Sequence, residues 1–360
     1  MLKKLFSKKI NYLLFALPIA LIGRALGWGD LSILVLSAIS VIPLAGMIGT
    51  ATESLAVYTG PKIGGLLNAT LGNAAELIIT IMAIRSGYLE LVKASITGSI
   101  LGNLLLVMGV AMLAGGLKNG LQTFDRRQVS NYSILLLISV SALIIPSMFK
   151  NAVGHNGSIQ VENLSIGVAI VMIVLYALGL YYSFREQGSP VAPKPAIEVV
   201  HASPHWTKTQ SLILLALATF GVVFASELLV NSVEHVITTF GISEFFLGVI
   251  LIPIIGNVAE HLVAVTMAYR NHMELSTEIA ISSSLQIALF VAPLLVFISL
   301  LMGNPLNLVF NLYEILALGV SILITTFVAI DGESNWLEGA ALTAVYIILA
   351  ISFFFLPTGA

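Results

Sequence analysis

The chain has 360 residues, of which 58% are hydrophobic and only 9% charged, against roughly 25% charged residues in soluble domains. That balance excludes an ordinary soluble domain and makes this an integral membrane protein. A formal net charge of −2 gives no sign of a nucleic-acid or other strongly charged partner, and the complete absence of cysteine removes disulfides, thiolate metal sites and cysteine catalysis together.

Apolar runs of about 20 residues cross a bilayer as helices. In chain order they predict spans near residues 10–27, 31–57, 62–85, 88–116, 129–149, 161–184, 208–238, 243–269, 273–302, 306–329 and 337–356. The fold class is therefore an all-α polytopic membrane protein of about eleven helices. Lys3, Lys4, Lys8 and Lys9 before the first run resemble the start of a signal peptide, but no small-residue cleavage site follows, so 10–27 is read as a span. With the N-terminus in the cytoplasm, most Lys and Arg fall on the inner side, and Arg24, Arg85, Lys93 and Lys150 are left outside. This places the C-terminus externally.

Residues 185–207 are Pro-rich and polar, and can neither span a membrane nor continue a helix. Features recur in the same order on either side of this linker. Ala51-Thr52-Glu53 precedes Gly72-Asn73-Ala74-Ala75-Glu76, and Ala225-Ser226-Glu227 precedes Gly256-Asn257-Val258-Ala259-Glu260. The expected organisation is a leading span (1–28), a first five-span repeat (29–184), a cytoplasmic linker (185–207) and a second five-span repeat (208–360). Because each repeat has an odd number of spans, the two would face opposite ways, an arrangement that recurs in secondary transporters.

A carboxylate at the centre of a span costs about 3 kcal/mol on insertion scales and needs a compensating partner. Glu53, Glu76, Glu227 and Glu260 are such acids. Within each motif, Asn and Glu are three residues apart and share a helical face. Gly72 and Gly256 tolerate a break or close approach, and Pro253 leaves carbonyls free. Glu76 and Glu260, with Asn73, Asn257 and nearby carbonyls, could supply the 6 to 8 oxygens that calcium prefers. Zinc or copper would be expected to use more His or Cys than His261 alone. Ser99, Asn103, Ser283, Ser284 and Gln286 are supporting polar candidates, equally readable as interhelical glue. Glu53, Glu227 and His261 are candidates for a proton path, with packing roles as the alternative.

Other features are plainer. Gly98 and Gly102 suit close helix packing. His201 and His205 sit in a linker setting that disfavours a metal, and Glu90 with Lys93 reads as an ordinary helical pair. Asp331 to Asn335 begins like a calcium loop, but Trp336 stands where the turn glycine belongs. Neither H-E-x-x-H nor G-x-S-x-G occurs, so an enzyme is not expected.

The paired Gly-Asn-x-Ala-Glu motifs, Gly64-Gly65-Leu66-Leu67-Asn68-Ala69-Thr70, Ser284-Leu285-Gln286-Ile287-Ala288 and Ser334-Asn335-Trp336-Leu337-Glu338-Gly339 resemble the CAX cation/proton exchangers of the calcium/cation antiporter superfamily, bacterial type. The resemblance covers nearly the whole chain. It implies a calcium/proton antiporter of the plasma membrane with Glu76 and Glu260 as cation and proton carriers. Calcium would be the transported ion with no tightly bound cofactor, and a homo-oligomer is suggested. Many relatives carry an acidic run between the halves, whereas here Glu186 and Glu198 are balanced by Arg185 and Lys194. Rival readings are a same-fold exchanger of manganese, sodium-coupled calcium exchange, or a calcium-permeable channel.

Overall fold

The computed structural model describes residues 5–6, 8–153, 158–185 and 203–356, and every regular element in it except one short strand pair is a helix. Most of the linker, residues 186–202 with His201, lies outside the described residues. The chain begins as a 3-10 helix, Lys9–Phe15, and becomes α-helical in α1, Ala16–Ala25. Pro18 falls in the first turn of α1, just after the change from 3-10 to α geometry. The two pieces follow one another without a gap over Lys9–Ala25, where the leading span over 10–27 is expected, with 3-10 geometry in the first of them. Nine helices among the described residues are long and apolar enough to span a membrane, or ten with one bent pair, against the eleven expected.

Helix α2 (Asp30–Thr59) ends at Gly60, whose φ of 81° lets the chain reverse, and Pro61 then opens α3 (Pro61–Leu71) at a position that needs no amide donor. Gly72 and Asn73 separate α3 from α4 (Ala74–Arg85), yet the two still form one span, Ile63–Arg85. Helix α5 (Leu89–Leu101) passes through a π-helical stretch, Gly102–Val107, into α6 (Met108–Asn119). Strand β1 (Gln122–Thr123), α7 (Arg126–Val153) and α8 (Ile159–Arg185) complete the first half.

The second half opens with α9 (Lys208–Phe240), started by a capping box between Thr207 and Gln210. Next come α10 (Glu244–Phe246), a π-helical stretch Leu247–Leu251, α11 (Ile252–Gly256) and α12 (Val258–Tyr269), with a 63° bend at Asn257. Helix α13 (Met273–Gln286) runs through π-helical Ile287–Val291 into α14 (Ala292–Met302). The chain closes with α15 (Leu312–Ala329), strand β2 (Glu333–Ser334) and α16 (Trp336–Phe354). β2 pairs antiparallel with β1, and Asn335 caps α16, so this segment is built as a strand and a helix start.

Small residues decide which helices lie inside. Every residue of α5 from Leu91 to Leu101 is buried, and five of them are Ala94, Ser95, Thr97, Gly98 and Ser99. A Cβ at Gly98 would overlap the Val249 carbonyl, as expected of close packing, whereas Gly102 faces open space. The longest contact runs between α2 and α9. Helices α8 and α16 form part of the outer surface and expose Val171, Leu178, Ile347 and Ile348, as a lipid-facing helix should.

One interior cluster departs from the sequence reading. Lys93 forms the expected pair with Glu90 at 2.6 Å, but it is buried and donates to the Val309 carbonyl at 2.9 Å. Nearby, Glu314 is 1% exposed and accepts from Thr97 Oγ1 (3.1 Å) and the Asn311 amide (2.8 Å). This acid was not among the intramembrane acids singled out from the sequence. At the other surface feature, Arg24 pairs with Asp30 at 2.6 Å.

Candidate cation-binding site

Each Gly-Asn step ends one helix and starts another, so each glutamate occupies the third position of a new helix. Asn73 and Asn257 share one non-helical conformation, with φ, ψ of −91°, 15° and −105°, 9°. Glu76 and Glu260 therefore sit in the positive field of the first turns of α4 and α12, which favours carboxylates. The missing side chains of the glycines are used across the halves. A Cβ at Gly72 would lie 2.7 Å from Glu260 Oε1, and one at Gly256 would lie 3.4 Å from the Glu76 Cβ. Gly72 thus makes room for the other motif's glutamate, while Gly256 stands at ordinary contact distance from Glu76.

The two carboxylates differ in access. Glu76 is 0% exposed and accepts hydrogen bonds from Ser99 Oγ, Ser95 Oγ (3.4 Å) and Asn257 Nδ2 (3.2 Å). Glu260 accepts from Ser283 Oγ at 2.5 Å and lines a cavity of about 420 Å³. Thr50, Glu53, Asn68, Ser282 and Gln286 also line that cavity. Lys8, His205 and Trp206 border it as well, so it faces the side of the N-terminal segment and the end of the linker.

The two asparagines use their nitrogens and spare their oxygens. Asn73 Nδ2 donates to Gln286 Oε1 at 2.8 Å, while Asn257 Nδ2 donates to Glu76 and to Ser99 Oγ (3.1 Å). Both side chains are buried, at 1% and 2% exposure, and both Oδ1 atoms lack a hydrogen-bond partner. A buried polar oxygen without a partner is costly. A cation ligated by these oxygens would remove that cost. Counted together, the two carboxylates and two amide carbonyls offer six hard oxygens, the lower end of the calcium range. No group of three or more His, Cys, Asp or Glu that could hold a metal occurs among the described residues, so any cation here must rely on two carboxylates and neutral oxygens.

The other candidates separate. Ser99, Ser283 and Gln286 touch the motif side chains directly. Ser284 does not: its hydroxyl bonds the Ala280 carbonyl within its own helix at 3.0 Å. Asn103 is buried in the first π-helical stretch with Nδ2 unpartnered, and it makes no hydrogen bond to either motif. Glu53 borders the cavity, whereas its sequence counterpart Glu227 is exposed on α9 and does not line it. His261 is half-buried and is not a cavity-lining residue, although Glu260 and Leu262 on either side of it are. Sequence reasoning missed Ser95, which lies one helical turn before Ser99 on the same face of α5.

Asn257→Ala should leave Glu76 with one hydrogen bond fewer in a sealed interior, at a cost of about 1–3 kcal/mol. Calcium affinity should fall roughly ten- to a hundredfold, measured by equilibrium calcium binding to purified protein. Unchanged affinity would show that this amide does not serve the site.

Comparison with known proteins agrees on one family. The family described as sodium/calcium exchanger protein matches residues 30–185 and 210–355. The chain is 43% identical to a Ca(2+)/H(+) antiporter of Aphanothece halophytica over 96% of both proteins. It is 42% identical to the Ca(2+)/H(+) antiporter ChaA of Bacillus subtilis (strain 168), over 97% of this chain and 99% of that one. The structure of native YfkE superposes with a TM-score of 0.84 at 40% identity, covering 96% of this chain and 100% of that chain.

Proposed function

The chain belongs to the sodium/calcium exchanger protein family, in its CAX-type calcium/proton branch, and from that premise we propose that it exports cytoplasmic calcium in exchange for inward protons. The observation that carries this reading is the joint arrangement of Glu76 and Glu260: one carboxylate is sealed, one faces a cavity, and two unpartnered asparagine oxygens accompany them. Two nearby carboxylates repel one another when both are ionised. They are relieved either by protons or by one divalent cation. Calcium and protons need the same oxygens, so occupancy is exclusive and movement of one is tied to the other.

In this proposal the two five-span repeats, 29–184 and 208–360, are inverted with respect to each other, and their relative movement exposes the site alternately. The N-terminus lies in the cytoplasm. The cavity bordered by Lys8 and Trp206 is then the cytoplasmic entrance, and Glu260 is the motif glutamate that an incoming cation meets first. The proteins that this chain resembles are antiporters, which argues against a channel. Manganese and sodium remain the competing ions because oxygen ligands separate them poorly. A sodium gradient at constant pH should drive no calcium across proteoliposomes. Calcium flux as fast as that driven by protons would make sodium the coupling ion.

The second tier of acids gives a separable result. Glu53 lies on the proposed entry route and Glu227 does not. Glu53→Gln should slow turnover several-fold and shift its pH dependence while largely preserving calcium binding. Glu227→Gln should have the smaller effect when transport starts from the Lys8 side. Complete loss of binding in Glu53→Gln would make it a direct ligand, and equal behaviour of the two variants would remove the distinction drawn from the cavity.

A further inference from the structure

The cavity beside Glu260 is much larger than an inorganic cation requires. Its volume of about 420 Å³ lies within the roughly 300–1,000 Å³ of small-molecule pockets. Its wall has an apolar part, formed by Ile42, Met47, Leu214, Val258, Leu262 and Ile279, beside a polar part that includes Thr50, Asn68 and Ser282. Two carboxylates, Glu53 and Glu260, line the same cavity. An apolar concavity of this size with a few fixed polar groups is the ordinary construction of a small-molecule pocket.

The protein also indicates the chemistry of the occupant. Lys8 lines the same cavity as Glu53. A primary ammonium on a four-carbon stem is therefore already accommodated at the mouth. Trp206 forms part of the wall there, with its carbonyl accepting from Tyr58 Oη at 3.2 Å. An aromatic wall beside a carboxylate suits an organic cation better than a hydrated metal ion.

From this geometry we propose that the cavity is a binding site for organic ammonium ions, a primary ammonium carried on an alkyl body of about six carbons. The charged end sits between Glu53 and Glu260, and the alkyl body lies against the apolar faces of α2, α9, α12 and α13. Such a ligand blocks access to Glu260 and competes with calcium. The competition rests on the exchanger reading above. The binding itself does not.

The test is calorimetric titration of purified, calcium-free protein at pH 8.5 with n-hexylammonium chloride and, separately, with 1-hexanol. Hexylammonium should bind saturably at one site and hexanol should not, and calcium should raise the apparent Kd of the amine at least tenfold. Glu53→Gln should weaken the amine at least fivefold. Ile279→Trp, which fills the pocket and leaves both carboxylates in place, should abolish binding and covers the case of a poorly folded Glu53→Gln. Equal binding of hexanol would make this an apolar pocket for neutral chains and overturn the proposal. No saturable amine binding, or binding unchanged in Glu53→Gln, would also overturn it, whereas binding indifferent to calcium would overturn the competition alone. Calcium/proton exchange measured on the same preparation distinguishes the two readings, because its absence would count against the exchanger assignment while leaving the amine titration intact.

Discussion

Glu76→Gln and Glu260→Gln are each expected to abolish calcium exchange while leaving a folded protein. Glutamine keeps the size of the side chain but removes one of two negative charges, so a divalent cation would be left half neutralised away from water. Removing one partner of a buried, hydrogen-bonded charge pair costs about 2–5 kcal/mol, or roughly a 30- to several-thousand-fold loss. Glu76→Gln carries a second penalty, because Glu76 accepts from Ser95, Ser99 and Asn257. Glutamine keeps one accepting oxygen, and its nitrogen cannot accept from the donors that face it. Glu260→Gln keeps more of its surroundings, with the Ser283 hydroxyl at 2.5 Å and a cavity beside it. The check is calcium uptake by proteoliposomes beside circular dichroism of the purified variants. Near-normal uptake by either folded variant would remove that residue from the site.

Gly98→Val should have the largest effect on folding. A Cβ at position 98 would overlap the Val249 carbonyl and come within 2.7 Å of Pro253 Cγ. Backbone atoms cannot swing aside as a flexible side chain does, so α5 and the π-helical stretch of Leu247–Leu251 must separate. Overpacking typically costs 1–3 kcal/mol and here should reach about 3 kcal/mol or more. Separation would also carry Gly256 away from Glu76, coupling the packing defect to the candidate site. Gly102→Ala is the control, since nothing lies within 4 Å of its added methyl. It should be neutral or gain up to about 1 kcal/mol from helix propensity. Thermal unfolding of the detergent-purified variants decides between these outcomes, and equal stability of the two variants would contradict the close-contact account.

The sequence carried the helical, membrane-spanning class because hydrophobic length is a local property. It also carried the motif pair, since Gly-Asn before a glutamate is an interruption that composition alone exposes. What it could not carry was tertiary. Glu53 and Glu227 stand in matching Ala-x-Glu segments, yet one borders the cavity and the other is exposed. Ser283 and Ser284 are neighbours in sequence, but a helix points them about 100° apart, so one reaches Glu260 and the other returns to its own backbone. Lys93 looks like a surface partner for Glu90 until Val309 covers it. Glu314 was obscured by its place in a capping box at a helix start, where an acid has a local explanation that conceals its burial. The leading segment was read from hydrophobic length alone, and 3-10 geometry leaves no hydropathy signal.

The central claim is that calcium and protons exclude one another from the same oxygens and therefore move in opposite directions. Its most direct test is simultaneous measurement of calcium and proton flux in proteoliposomes of purified wild-type protein, with membrane potential clamped and sodium absent. With an acidic compartment facing the side away from the N-terminus, calcium should leave the N-terminal compartment, protons should enter it, and neither flux should proceed without the other ion. Calcium movement that runs down its own gradient with no proton counterflow would contradict the account.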